Sequence, residues 1–213
     1  MLSPTIISKL AYLIISFIVG VLFYYVTSEA GKVEKKQQLD IIFSLLVNFI
    51  IYLWIGKLIL NFPRLLNDPI AVLAYPMNSY SFYIATFLLI INLAYLFVIK
   101  SENLTVIFRT FLPIFLASLF LYEFIELVIE NYSQQRLTFI LQLILLLVYL
   151  FYHNKHIYSK EIVFSLWIAG KIVLSFILPY TKIFNFMISP YYFIVLFIIF
   201  ILVYLYNWKR KVA

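Results

Sequence analysis

The chain has no cysteine, two histidines and four glycines in 213 residues, and only 12% of those residues are charged. Without cysteine there is neither a disulfide framework nor a thiolate metal site. The two histidines, His153 and His156, share a short stretch with Asn154, Lys155 and Lys160. No third ligand stands near them, so they read as loop residues, and no metal or other cofactor is expected. A Gly-rich phosphate loop, a nucleophile elbow and a zinc signature are also missing. The shortage of charge excludes most. Soluble domains carry about a quarter charged residues, whereas this chain is 65% hydrophobic. A soluble fold of this length has no interior large enough for so much apolar surface. A bilayer is the solvent that suits it.

What is present is a series of long apolar runs. About 20 such residues cross a hydrocarbon core as a helix. Seven runs can be read, at 7–27, 40–61, 80–99, 105–125, 137–152, 161–179 and 190–207. No shift in composition marks a linker. The expected architecture is therefore all-α: a polytopic transmembrane helix bundle of about seven spans, forming one integral membrane domain over residues 1–213. The first run reads as a span rather than a cleaved leader. It is longer than a usual signal-peptide core, and Lys32, Lys35 and Lys36 follow it closely.

The net charge of +7 does not point to nucleic acid, because the lysines sit in short clusters between apolar runs. That pattern carries topology. One side collects Lys32, Lys35, Lys36, Lys100, Lys155, Lys160, Lys209, Arg210 and Lys211; the other has Lys9, Arg64, Arg136 and Lys182. The richer side is the cytoplasmic one, so the N-terminus is expected outside and the C-terminus in the cytoplasm. The expected location is the cell membrane, as a multi-pass protein of a bacterial cytoplasmic membrane. Tyr24, Tyr25, Tyr152, Tyr206 and Trp208 fall near span ends, where amphipathic rings favour the interface.

Residues 61–79 are the least regular stretch, with Pro63, Asn67-Asp68-Pro69, an apolar piece from Ile70 to Tyr75, and Pro76. They read as turns around one short segment, either packed on the helix ends or forming the lip of a cavity.

Ionisable groups inside spans are costly and tend to face a partner or a cavity. Lys57 is expected about 25 Å along the second span, near its outer interface. Lys171 falls close to the middle of the sixth span, and Glu123 and Glu126 near the outer end of the fourth. Asn48, Asn92 and Gln142 add uncharged polar groups. Gly56 precedes Lys57 and Gly170 precedes Lys171, and a glycine beside a lysine allows a neighbouring backbone to come close. The bland alternatives are snorkelling for Lys57 and internal ion pairing for Lys171. The functional alternative is an anion site for a phospholipid phosphate, with Glu123 and Glu126 as charge partners.

The order of these features resembles the prolipoprotein diacylglyceryl transferase family. Its members have seven spans, an external N-terminus and a cytoplasmic C-terminus, and move diacylglyceryl from phosphatidylglycerol to a lipobox cysteine. Ile55-Gly56-Lys57-Leu58 is similar to the family's Gly-Ala-Arg stretch. Asn67-Asp68-Pro69 with Ile70–Tyr75 is similar to its proline-containing external segment. Ser81-Phe82-Tyr83 falls where the family has Ser-Phe-His, and Gly170-Lys171 where it has Gly-Arg.

The departures concern the chemistry. Tyr83 stands at the family's essential histidine, and a phenol with a reference pKa of about 10 is a poor general base. Lysines replace the matched arginines, losing the bidentate fork for phosphate. The Gly-Arg-x-Gly-Asn-Phe signature is absent, with Glu123 near the place of its arginine. The resemblance thus implies an inherited scaffold with an outer, lipid-accessible cavity lined by Lys57, Tyr83 and Lys171. The expected ligand is a membrane phospholipid such as phosphatidylglycerol, with a membrane-protein partner as a further possibility. The alternatives are an active phospholipid- or lipoprotein-directed transferase with altered catalytic residues, or a small-molecule transporter.

Overall fold

The computed structural model describes the backbone of residues 4–74, 77–100, 102–130, 136–152 and 159–212, and side chains over 7–70, 72, 77–100, 102–130, 136–152 and 159–203. The helices are α1 (Pro4–Thr27), α2 (Lys32–Leu60), α3 (Phe62–Asn67), α4 (Pro69–Ala74), α5 (Ser79–Val98), α6 (Leu104–Ile129), α7 (Arg136–Tyr152), α8 (Ser159–Ile177) and α9 (Pro190–Val212). Between α8 and α9 lie two strands, β1 (Thr181–Ile183) and β2 (Phe186–Ile188). Each expected apolar run contains a helix. Among the described residues, α2, α5, α6 and Ile7–Thr27 of α1 are long and apolar enough to cross a membrane. Helix α7 is shorter, at 17 residues. Helix α8 carries Lys160, Glu161 and Lys171 within 19 residues.

Helix α2 and the segment between α8 and α9 differ from the sequence reading. Helix α2 starts at Lys32, eight residues before the apolar run begins. Gly31 caps it in an extended conformation, and Glu34 in its first turn complements the helix dipole. Lys32, Lys35 and Lys36 are therefore helical. The second difference is the hairpin, which stands in a stretch read as a simple connection. Its antiparallel register pairs Thr181 with Ile188, Lys182 with Met187 and Ile183 with Phe186. Phe184, the first residue of the two-residue turn, has φ 50°. Primed hairpin turns need a positive φ there and normally use glycine. A phenylalanine holds this backbone at a cost of about 1–3 kcal/mol, which its surroundings must offset.

The chain falls into two compact units. The larger comprises 1–27 and 112–213, and the smaller 28–111. In the larger unit, α1 meets α6 at close range: a Cβ on Gly20 would collide with Ser118 Oγ and the Ile114 carbonyl oxygen. The core is the face of α6 carrying Leu112, Leu116, Leu119 and Tyr122, with Trp167 of α8. The Trp167 ring meets Phe115 edge-on at 4.9 Å, stacks on Phe164 at 5.7 Å and touches Phe193 at 6.1 Å. Tyr24 is buried here rather than placed at an interface.

In the smaller unit, α2 and α5 run antiparallel. Asn92 Nδ2 donates to Tyr52 Oη at 2.8 Å, and Phe49 meets Phe82 edge-on at 5.5 Å. A Cβ on Gly56 would stand 3.0 Å from the Ser81 carbonyl oxygen and 3.2 Å from Ser81 Cα. Only glycine lets the two backbones approach this closely. Asn78 caps α5, its Oδ1 accepting from Ser81 N and Ser81 Oγ, each at 2.9 Å.

Candidate functional site

The expected site residues fall in both units. Glu123, Glu126 and Lys171 belong to the larger and Lys57 and Tyr83 to the smaller.

In the larger unit, Glu123, Glu126 and Glu130 follow one another along α6 and its C-terminal boundary, at spacings of three and four that share one face. Each meets a lysine from a different element. Lys171 of α8 places Nζ 2.9 Å from Glu123 Oε1. Lys182 of β1 is 3.8 Å from Glu126 Oε1, and Lys9 of α1 is 3.9 Å from Glu130 Oε2. Lys171 is wholly buried, and Glu126 and Glu123 are 1% and 5% exposed. A charge held this far from water needs a partner within reach.

The hairpin closes this cluster. Lys171 Nζ also donates to the Lys182 carbonyl at 3.4 Å, and Lys9 Nζ donates to Asn185 Oδ1 at 3.4 Å. Phe184 meets Tyr122 edge-on at 5.5 Å and Phe115 at 6.3 Å. These contacts account for the positive φ of Phe184, since the ring is anchored from α6. A cavity of about 10 Å³ remains between the layers, lined by Glu123, Glu126, Thr138, Tyr180, Lys182 and Phe184. That is room for about one water molecule.

Sequence reading found Glu123, Glu126 and Lys171 but counted Lys9 and Lys182 only as topology markers, and it did not use Glu130. The available signal was the spacing of the three glutamates. Gly170 also behaves differently from Gly56. A Cβ on Gly170 would meet the Leu141 methyls at 2.7 and 2.8 Å, the mobile end of a side chain rather than a backbone.

In the smaller unit, Lys57 lies in the last turn of α2 and is 3% exposed. Its Nζ stands 4.7 Å from the centroid of the Trp54 ring. Its carbonyl accepts from Asn61 Nδ2 at 2.9 Å and from Asn61 N at 3.2 Å, which ends the helix and turns the chain into α3. The segment read as turns around one short piece is in fact two short helices. They expose Phe62, Leu66 and Ile70 beside Arg64 and Asp68. Tyr83 is half-buried one turn into α5 and meets Tyr80 edge-on at 6.0 Å.

His153 and His156 lie outside the described residues, and among the described residues no group of three or more His, Cys, Asp or Glu is placed to hold a metal ion. No family model, curated protein or solved structure matches the chain.

Proposed function

We propose that the chain is a non-catalytic, phospholipid-binding membrane protein on a shortened scaffold of the prolipoprotein diacylglyceryl transferase type. It spans the membrane about seven times, with its N-terminus outside and its C-terminus in the cytoplasm. The lipid phosphate, such as that of phosphatidylglycerol, sits at Lys57, and the acyl chains lie along α3 and α4. One observation carries this reading: a buried lysine ends an apolar helix at the point where the chain turns into two short helices with exposed apolar side chains. Lysine serves phosphate as a point charge. Arg64 in α3 adds a second cation to the same stretch, and Tyr83 takes the place of a base without being a good one. The anion role falls to Lys57 rather than Lys171, since Glu123 already meets the Lys171 charge at 2.9 Å.

The test is the lipid that stays with the protein through purification in mild detergent, measured by mass spectrometry. Lys57→Ala is expected to lower retained phosphatidylglycerol severalfold, and Glu123→Gln/Lys171→Met to leave it unchanged. Equal retention by wild type and Lys57→Ala would end the reading. Expression in a bacterium depleted of its diacylglyceryl transferase is expected to give no rescue. Rescue with lipid on the lipobox cysteine would make the chain an active transferase instead.

A further inference from the structure

The larger unit contains a second site, apart from Lys57, Arg64 and Tyr83, to which the lipid is assigned above. We propose that its Glu123–Glu126 end is a proton-uptake site, in which one water molecule in the cavity passes protons inward from Glu130 to Glu123.

Three observations carry this. The first is the row of carboxylates on one face of α6, which spans roughly 10 Å along the axis. The Glu130 side chain is 20% exposed, that of Glu126 1% and that of Glu123 7%, so the row runs from an exposed end to two buried carboxylates. The second is the cavity itself. Glu123 lines the cavity with Glu126; its Oε1 accepts from Lys171, and its buried Oε2 lacks a close protein donor, with the Thr138 side chain beside the carboxyl. A carboxylate oxygen in that position needs a donor, and the cavity is sized for one water.

The third observation lies deeper. Gln142, one turn along α7 from Thr138, is wholly buried and neither of its amide atoms has a protein partner. Ser118 Oγ on α6 and Trp167 Nε1, one turn from Lys171, are also buried and unbonded. Polar atoms inside a membrane-embedded fold require partners, and water is the one that fits small gaps. The unit thus holds further buried polar atoms within one turn of Thr138 and of Lys171.

The charges around Glu123 favour a proton over other ions. Glu123 meets Lys171 of α8, and it lines the cavity with Glu126 of α6, Thr138 of α7, and Tyr180 and Lys182 at the hairpin; Glu126 meets Lys182 in turn. Helix α1 adds Lys9 and Tyr12, and α7 contributes Thr138 and Gln142 with Arg136 exposed at its start. The three glutamates balance the three lysines, so neither a phosphate nor a metal ion meets a net attraction. A proton differs because it forms a covalent bond to a carboxylate oxygen. In the transfer, the cavity water gives a proton to Glu123 Oε2, and one O–H bond forms as another breaks. The water takes back a proton from the Glu126 carboxyl, which returns to carboxylate. Glu126 is refilled from outside through Glu130. One proton moves inward and nothing is oxidised or reduced.

The experiment is infrared difference spectroscopy of the whole protein in lipid nanodiscs between alkaline and acidic buffer, in H₂O and D₂O. A carboxylic C=O band that grows on acidification and shifts down in D₂O is expected. Glu123→Gln should abolish it. Filling the cavity with Thr138→Leu should slow deuterium exchange of the band severalfold in protein whose helix content by circular dichroism matches the wild type. Where Glu123→Gln fails to fold, Glu123→Gln/Lys171→Met removes both charges of the pair and decides the matter. A band that survives removal of Glu123, or its absence in folded wild-type protein, overturns the proposal.

Discussion

Of the chain's three Gly-Lys pairs, Gly31-Lys32 opens α2 and the other two lie inside helices, one in each unit, where the lysine is treated in different ways. At Gly170-Lys171 the ammonium is wholly buried and held by Glu123 at 2.9 Å, with the Lys182 carbonyl at 3.4 Å. At Gly56-Lys57 the ammonium stands over the Trp54 ring at a helix end, beside short apolar helices. The glycines differ in the same sense. Gly56 is fixed by the Ser81 backbone of α5, whereas Gly170 faces only the methyls of Leu141. The same dipeptide thus serves an internal ion pair in one unit and a close helix crossing with a lysine at its edge in the other. Local sequence sets what a residue is able to do, and the partner element decides what it does.

The largest effect should come from breaking the Lys171 pair. Glu123→Gln leaves a buried ammonium without its counter-charge and is expected to cost about 3–5 kcal/mol. Glu123→Gln/Lys171→Met should recover most of that loss, because replacing both partners by apolar or neutral groups is often nearly neutral. Thermal or denaturant unfolding in detergent, read by circular dichroism, gives both numbers. A double variant no better than the single would mean that the pair does not act as a unit.

The glycines sharpen the contrast. Gly56→Leu drives a side chain into the Ser81 backbone and is expected to cost about 1–3 kcal/mol through overpacking. Gly170→Ala asks only that the Leu141 methyls shift and is expected to cost under about 1 kcal/mol. The same unfolding assay compares them. A reversed order would show that the Leu141 side chain is locked and that α5 yields.

Much of this fold was legible because the dominant signal in a membrane protein is long-range and simple. Apolar runs located α1, α5, α6, α7, α8 and α9 to within a few residues. Helix α2 was read short because its first turns, Lys32 to Gln38, are polar, and apolarity was the only helix signal in use. The hairpin was missed for a related reason. Thr181–Ile188 is brief, mostly apolar and without glycine, and its turn is held by the Phe184 contacts with Phe115 and Tyr122 rather than by local turn chemistry. The charge cluster was half legible. Buried charge demands a partner, which linked Lys171 to the α6 carboxylates; which carboxylate and which further lysines depended on helix rotation and on the hairpin.

Asn78 offers a smaller test confined to the smaller unit. Its side chain caps α5 and also binds Ser81 Oγ, on the same residue whose backbone meets Gly56. Asn78→Ala is expected to cost about 1 kcal/mol. Combined with Gly56→Leu it should cost less than the sum, since both act on the first turn of α5.

The smallest stability effect, and the one that best separates the two lysines, belongs to Lys57. Its contact with Trp54 is worth about 0.5–2 kcal/mol. Lys57→Met keeps the aliphatic bulk that packs at the helix end and removes the need to desolvate an ammonium, so the two changes oppose each other. The expected net change in unfolding free energy is under about 1 kcal/mol, far below the loss at Lys171 when Glu123 is removed. If Lys57 holds a phosphate, the variant nonetheless loses lipid while keeping its fold. A structural lysine gives the opposite pattern: lipid retention stays at the wild-type level and any deficit appears in stability alone. Measured on one preparation by unfolding and by lipid mass spectrometry, Lys57→Met therefore tells a binding residue from a packing one.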